Sequence, residues 1–293
     1  MLVAGLPGIS LPLFSGMICL LLACSGAGAQ ETTRNSIHWA YSSYFGSGWY
    51  TVGEDQDVYV LRMTPRWEKQ EARFTEDGGR TIGIEFLFPI TTGLNTFSLD
   101  DIPGIADPDN VASLSVTPAI DVVVPVSERW WLRSYAAIGW GTLLDDSESA
   151  WTYATGLVSR YTYENGKLNW ALLNSVSFVG STPSNGSSDS FWPLMAGLEF
   201  DYPLGNFKLD NEQLLLSWHG TYTRFQGNLE DLIVDPSSEP ISDQWEFGVA
   251  LRKRNDRIKI GWFRFDQLGL AYRFSSSGDL KGIKFIFRSV FES

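Results

Sequence analysis

Residues 130–141 read WWLRSYAAIGWG, and they alternate. Trp130, Leu132, Ser134, Ala136, Ile138 and Trp140 form one set, apolar but for a single hydroxyl. Trp131, Arg133, Tyr135, Ala137, Gly139 and Gly141 form the other, which carries a charge. A period of two places successive side chains on opposite faces of a strand. The same pattern recurs along the chain. Residues 57–68 set Tyr59, Leu61, Met63, Pro65 and Trp67 against Arg62 and Arg66. Residues 111–125 set Leu114, Val116, Pro118, Ile120, Val122 and Val124 against Ser113, Ser115, Thr117, Ala119 and Asp121. In 151–163, Trp151, Tyr153, Leu157, Tyr161 and Tyr163 oppose Arg160. In 191–203, Trp192, Leu194, Ala196, Leu198, Phe200 and Tyr202 oppose Glu199 and Asp201. In 243–253, Trp245, Phe247, Val249 and Leu251 oppose Glu246 and Arg252. Turn-forming residues separate the runs: PVSE at 125–128, ENGK at 164–167 and KRND at 253–256, with longer polar connections at 180–190 and 226–242. Twelve strands are predicted, over 36–46, 57–68, 80–89, 111–125, 129–142, 151–163, 167–179, 191–203, 211–225, 243–253, 257–274 and 281–291.

The placing of the aromatic residues says what the apolar faces meet. Ten residues of strand rise about 33 Å, and a tilt of about 40° reduces this to about 25 Å. That is the height of the apolar band of an outer-membrane barrel. Trp and Tyr favour both edges of a bilayer, where ring and polar tip are each served. Trp67, Trp130, Trp140, Trp151, Tyr153, Tyr161, Tyr163, Trp192, Tyr202 and Trp245 are predicted to form the two girdles. A soluble sandwich has shorter strands, near five or six residues, and no reason to bracket them with aromatics. The predicted fold is an all-β, transmembrane, antiparallel up-and-down β-barrel, most simply of twelve strands, with ten and fourteen as alternatives.

Loop length and charge sort together. The connections 47–56, 90–110, 143–150, 180–190, 226–242 and 275–280 are longer on average and hold many Asp and Glu but no Lys or Arg. The alternating set, 69–79, 126–128, 164–166, 204–210 and 254–256, is mostly tight and of mixed charge. Long extracellular loops and short periplasmic turns are the habit of outer-membrane barrels. The 293 residues carry a formal charge of −12, with 14% aromatic and 19% charged residues. The only cysteines are Cys19 and Cys24, so the chain beyond them holds no disulfide or thiolate metal site. Leu11 to Cys24 is an apolar core of signal-peptide length, and Ala27-Gly28-Ala29 is a small-residue cleavage site. Residues 1–29 are therefore expected to be an export signal and 30–293 the barrel. In a second reading Cys24 is a lipidated first residue.

The segment 257–274, RIKIGWFRFDQLGLAYRF, alternates twice but out of phase, with Arg264 and Asp266 between the halves. A bulge near 263–265 would reset it as one strand. The last strand, GIKFIFRSVFES, carries Gly282, Phe285, Phe287 and Phe291. It resembles the C-terminal signal read by the barrel-assembly machinery of Gram-negative bacteria, although Glu292 and Ser293 follow the final Phe. FDQLGLAYRF and GIKFIFRSVF together resemble the end of the solitary autotransporter-type barrels. That resemblance implies a twelve-stranded barrel in the outer membrane without a passenger domain, and it implies no biochemical activity.

The inner face is predicted to carry Arg62, Arg66, Glu85, Asp121, Arg129, Arg133, Arg160, Glu199, Asp201, His219, Glu246, Arg252, Lys259, Lys284 and Arg288. Such charges either pair across the lumen or line a narrow aqueous path, because an unpaired charge in a dry lumen is costly. The expected function is a non-enzymatic outer-membrane barrel: a narrow porin-like pore, favouring cations through its acidic outer mouth, or a structural barrel. An adhesin or receptor acting through the loops is the alternative. Asp100, Asp101, Asp107 and Asp109 are candidate Ca²⁺ ligands there, at a spacing unlike that of an EF-hand. Lipid hydrolysis needs a Ser–His pair. Only His38 and His219 are available, and the His-x-Ser-Asn-Gly signature of outer-membrane phospholipases is missing. No cofactor is expected. The expected partners are outer-membrane lipid and lipopolysaccharide, the assembly machinery and divalent cations, and no nucleic acid.

Overall fold

The computed structural model describes residues 46–52, 56–75, 78–95, 111–143, 149–166, 168–184, 188–227, 241–254, 257–260 and 263–289. All lie in the unit Thr32–Ser293. The expected signal peptide with Cys24, residues 36–45 of the expected first strand with His38, the acidic cluster Asp100, Asp101, Asp107 and Asp109, and Phe291 lie outside the described residues.

The chain runs up and down as twelve staves. The first is β1 (Gly48–Val52), and the second is β2 (Gln56–Met63) continued by β3 (Arg66–Gln70). A separate hairpin of β4 (Arg73–Phe74) and β5 (Arg80–Thr81) follows. The third stave is β6 (Gly83–Leu87) with β7 (Ile90–Asn95), and the fourth is β8 (Val111–Val116) with β9 (Ala119–Pro125). The next six are unbroken: β10 (Trp130–Leu143), β11 (Ser149–Asn165), β12 (Leu168–Pro183), β13 (Asp189–Leu209), β14 (Glu212–Gly227) and β15 (Asp243–Lys253). A second small hairpin pairs β16 (Ile258–Ile260) with β17 (Phe263–Phe265). The last two staves are β18 (Gln267–Phe274) and β19 (Leu280–Ile286). Every pairing is antiparallel. β1 pairs with both β2 and β19, so the sheet closes on itself. Closure satisfies the backbone groups that an open edge would leave bare.

Staves two, three and four each break at a proline. A proline has no N–H to give to the ladder. The carbonyls stay in use: Phe88 N–H donates to Pro65 O at 2.9 Å, Thr117 N–H to Pro89 O at 2.9 Å, and Ile138 N–H to Pro118 O at 3.1 Å. The three breaks thus form a row across the wall. One end of the barrel carries tight turns. Asp210 and Asn211 both take positive φ, 53° and 67°, as a two-residue hairpin turn requires, and Gly166 turns at φ 63°. This is called the turn end below. The opposite end, which carries the connections 96–110, 144–148 and 228–240, is the loop end.

Three expectations change. The first described stave occupies 48–52, inside the connection expected at 47–56. The third stave does not end at Pro89, where the expected strand 80–89 ends, but continues as Ile90–Asn95. Ile90, Thr91 and Thr92 are β-branched and suit a strand, and they pair with both β2 and β8. Residues 257–274 are not one bulged strand. Their first half folds back as β16–β17, outside the barrel, and only β18 enters the wall. The hairpin adds two strands, so the even number of staves survives.

Candidate functional site

The two faces of the wall differ as alternation requires. The outer face exposes Ile138, Leu157, Leu172, Val176, Leu198, Val249, Leu251 and Leu270. At the loop end of this belt stand Trp140, Trp151, Trp192 and Trp245, with Trp140 directly across from Trp151. At the turn end stand Trp67, Trp130, Tyr161, Tyr163 and Tyr202, with Trp130 directly across from Tyr161. Tyr153 is half-buried, because its ring lies over Gly180 on the neighbouring strand. A Cβ at Gly180 would sit 2.5 Å from that ring, so only glycine admits it. Phe285 is exposed on the same outer face as Ile283, 6.4 Å from Phe287 between ring centroids. Gly282 faces inward under the ring of Tyr50.

The inner face gathers charge into four groups. At the turn end, both Asp266 oxygens accept from Arg66 Nη2 at 2.7 Å, and Arg257 Nε lies at 2.9 Å. Arg288 and Arg66 each approach Glu85 at 3.7 Å. This group draws on the second, third and last staves and ties the β16–β17 hairpin to the wall. The second group is the buried pair Arg133–Asp121 at 2.8 Å. In the third, Glu199 accepts from Arg160 at 2.6 Å, and Arg252 lies 3.9 Å from Glu199 and 3.4 Å from Asp201. The fourth centres on Glu246. Arg273 donates to it at 2.6 and 2.9 Å and Lys284 at 3.1 and 3.3 Å, and His219 Nε2 lies 3.1 Å away. Arg62 is half-buried on the same face.

Towards the loop end the lumen becomes apolar. Tyr50, Val58, Val60, Val179, Phe191, Phe225, Ile241 and Leu280 pack together, all buried. They come from six staves and one connection, so the cluster reaches across the barrel. Phe191 and Phe225 meet edge to face at 5.8 Å.

Two residues expected in the lumen are elsewhere. Arg129 is exposed in the turn 126–129, with its guanidinium 6.0 Å from the Tyr163 ring centroid. Its backbone bends there, so strand parity does not extend to it. Lys259 is exposed on the β16–β17 hairpin, which left the wall. The sequence reading missed Arg273, Asp266, Arg257 and Lys253. Arg273 was detectable, since it lies between Tyr272 and Phe274 and must face opposite to them. Lys253 is buried and donates to Asp210 at 3.2 Å, a pairing that only the turn geometry brings about. The bases Arg62, Arg66, Arg133, Arg160, Arg252, Arg257, Arg273, Lys284 and Arg288 outnumber the acids Glu85, Asp121, Glu199, Asp201, Glu246 and Asp266. Among the described residues no group of three or more His, Cys, Asp or Glu is disposed to hold a metal ion. His219 is engaged by a carboxylate, and Ser217 and Thr221 share its inward face.

No family model matches this chain, and no curated protein matches its sequence. Solved structures do. The β domain of the Bordetella autotransporter Brka aligns with a TM-score of 0.52 at 11% identity, over 82% of this chain and 96% of that one. The transport unit of the autotransporter AIDA-I from Escherichia coli gives 0.41 at 12% identity, over 82% and 88%. A bacterial polysaccharide outer membrane secretin gives 0.40 at 12%, over 80% and 81%. The likeness to the Bordetella domain is one of fold: a closed, twelve-stranded, autotransporter-type barrel.

Proposed function

We propose that this chain is an integral outer-membrane β-barrel without enzymatic activity, and that it stands closed. The observation that carries the reading is the inversion of the wall. Apolar side chains face out between two aromatic rows, and ionic groups face in. A protein interior would reverse that order, whereas a bilayer matches it. The loop end faces out of the cell. The apolar cluster around Tyr50 and Phe191 supports closure, since a hydrophobic constriction excludes water and ions. Below it, acid–base groups link side chains of different staves. Among the described residues the interior is richer in bases than in acids, so the acidic composition of the connections does not by itself set a preference for cations. Lipid hydrolysis has no support in the lumen. A carboxylate on one ring nitrogen, as Glu246 is on His219 Nε2 at 3.1 Å, could orient a catalytic histidine, but a hydroxyl nucleophile would have to bond the other nitrogen, and among the described residues none does.

The test is refolding into lipid vesicles followed by recording in planar bilayers. The folded protein should insert, shift its mobility on heating in detergent, and show no conductance steps. The double variant Tyr50→Ala, Phe191→Ala should open steps. Steady conductance from the unaltered protein would overturn the closed reading, and a monomeric folded state in detergent-free buffer would overturn the membrane reading. Lipid hydrolysis that disappeared in His219→Ala would overturn the non-enzymatic one.

A further inference from the structure

Two basic side chains stand on the outer surface at the loop end. Arg224 of β14 is exposed on the face that carries Trp218 and Tyr222. Lys281 of β19 is exposed on the face that carries Ile283 and Phe285. Two staves lie between theirs, so about 14 Å separates them. Neither has an ion pair among the described residues. An acid is at hand for Arg224, because Asp243 lies directly across from it. That carboxylate is taken instead by the Ser276 N–H at 2.9 Å, the Ser276 hydroxyl at 2.8 Å and the Tyr222 hydroxyl at 3.3 Å.

The surface between the two cations is aromatic. Tyr222 and Trp245 lie 4.7 Å apart between centroids, Trp245 and Phe247 6.1 Å, Phe247 and Phe274 6.3 Å, and Phe274 and Tyr272 5.7 Å. Phe274 also lies directly across from Lys281. Long basic side chains at the rim of an apolar belt keep their stems on the apolar surface and reach the headgroup layer with their charge. The neighbouring connections 228–240 and 275–279 carry acids and no base. A soluble anion approaching from outside would be repelled by them, whereas a lipid arrives sideways within its leaflet.

We infer that the β14–β19 face is a binding site for a phosphorylated outer-leaflet glycolipid of the lipopolysaccharide type, with Arg224 and Lys281 each holding a phosphate and acyl chains lying on the aromatic shelf. The inference rests on the membrane reading above. Folded protein in detergent is titrated with lipopolysaccharide and with the same lipid after phosphatase treatment. Arg224→Gln and Lys281→Gln should each weaken binding roughly fivefold, and the pair roughly twenty-fivefold. Removing the phosphates should weaken binding to the unaltered protein as much as the double variant does. Lys208→Gln, at the turn end, should change nothing. Equal binding of both lipids, a double variant that binds as the unaltered protein does, or displacement by inorganic phosphate at similar concentration would each overturn the site. Vesicle insertion is measured in parallel: if it succeeds while these outcomes fail, only the lipid site falls, and if it fails, the membrane reading falls too.

Discussion

Replacing Glu246 by Gln removes one negative charge from a buried ionic group of the barrel while keeping the side chain's shape. Glu246 is 4% exposed and Arg273 3%. The carboxylate receives two short bonds from Arg273 and two longer ones from Lys284, and His219 adds a fifth contact. The amide can still accept from one donor, but the two cations then face each other without an acid between them. Removing one partner from a buried ionic group costs about 3–5 kcal/mol. The retained amide oxygen recovers part of this, so a loss of about 3 kcal/mol is expected, roughly 150-fold in the folding equilibrium. Urea unfolding of the vesicle-inserted barrel, followed by tryptophan fluorescence, measures it. In a Lys284→Met background the same change should cost about 1–2 kcal/mol less, because only Arg273 remains to be left unmatched. A loss below about 0.5 kcal/mol with strict additivity would refute the view that this group braces the wall.

Two further substitutions test the wall itself. Leu157→Arg places a charge on the outer face at a position 44% exposed, midway along β11 between Trp151 and Tyr163. It should cost about 2–4 kcal/mol of insertion stability, and vesicle insertion equal to that of the unaltered protein would argue that no lipid contacts this face. Gly180→Val drives a side chain into the Tyr153 ring and should cost about 1–3 kcal/mol of unfolding stability. Tyr153→Ala in the same chain should restore part of the loss, and a double variant weaker than the single one would reject the proposed contact.

Alternation made the barrel legible because most outward positions along β10 to β15 are apolar. β10 to β15 lie where the period predicts, and their girdle residues stand at both rims. The errors fall where period two carries little information. Ile90–Asn95 follows a proline and is only six residues long, so its alternation is too brief to set it apart from the connection expected at 90–110, and cross-strand pairing places it in the wall. The 257–274 segment changes phase at Asp266, a residue that three arginines draw to the turn end. No local pattern reports partners so distant in sequence. The lumen charges within the regular staves could be picked out because each lies opposite a greasy residue, but Arg129 and Lys259 were misplaced where parity fails, Asp266 and Arg257 were missed, and the grouping was not legible. Arg66 and Asp266 are separated by 200 positions. The apolar cluster at the loop end was missed for the opposite reason. Tyr50, Val58 and Phe191 face inward, and an inward apolar residue looks like a flaw in the alternation until its neighbours are seen together.

The row of Pro65, Pro89 and Pro118 guards against an error that sidedness does not detect. A slip of one residue turns every greasy group inward and is rejected at once. A slip of two keeps each side chain on its proper face. With the rings at these positions, such a shift would set an imide nitrogen opposite a carbonyl that needs a donor, and in hydrocarbon a bare carbonyl is not tolerated. Three adjacent segments are keyed to one another in this way, so this quarter of the sheet has one admissible alignment before any charge has found its mate.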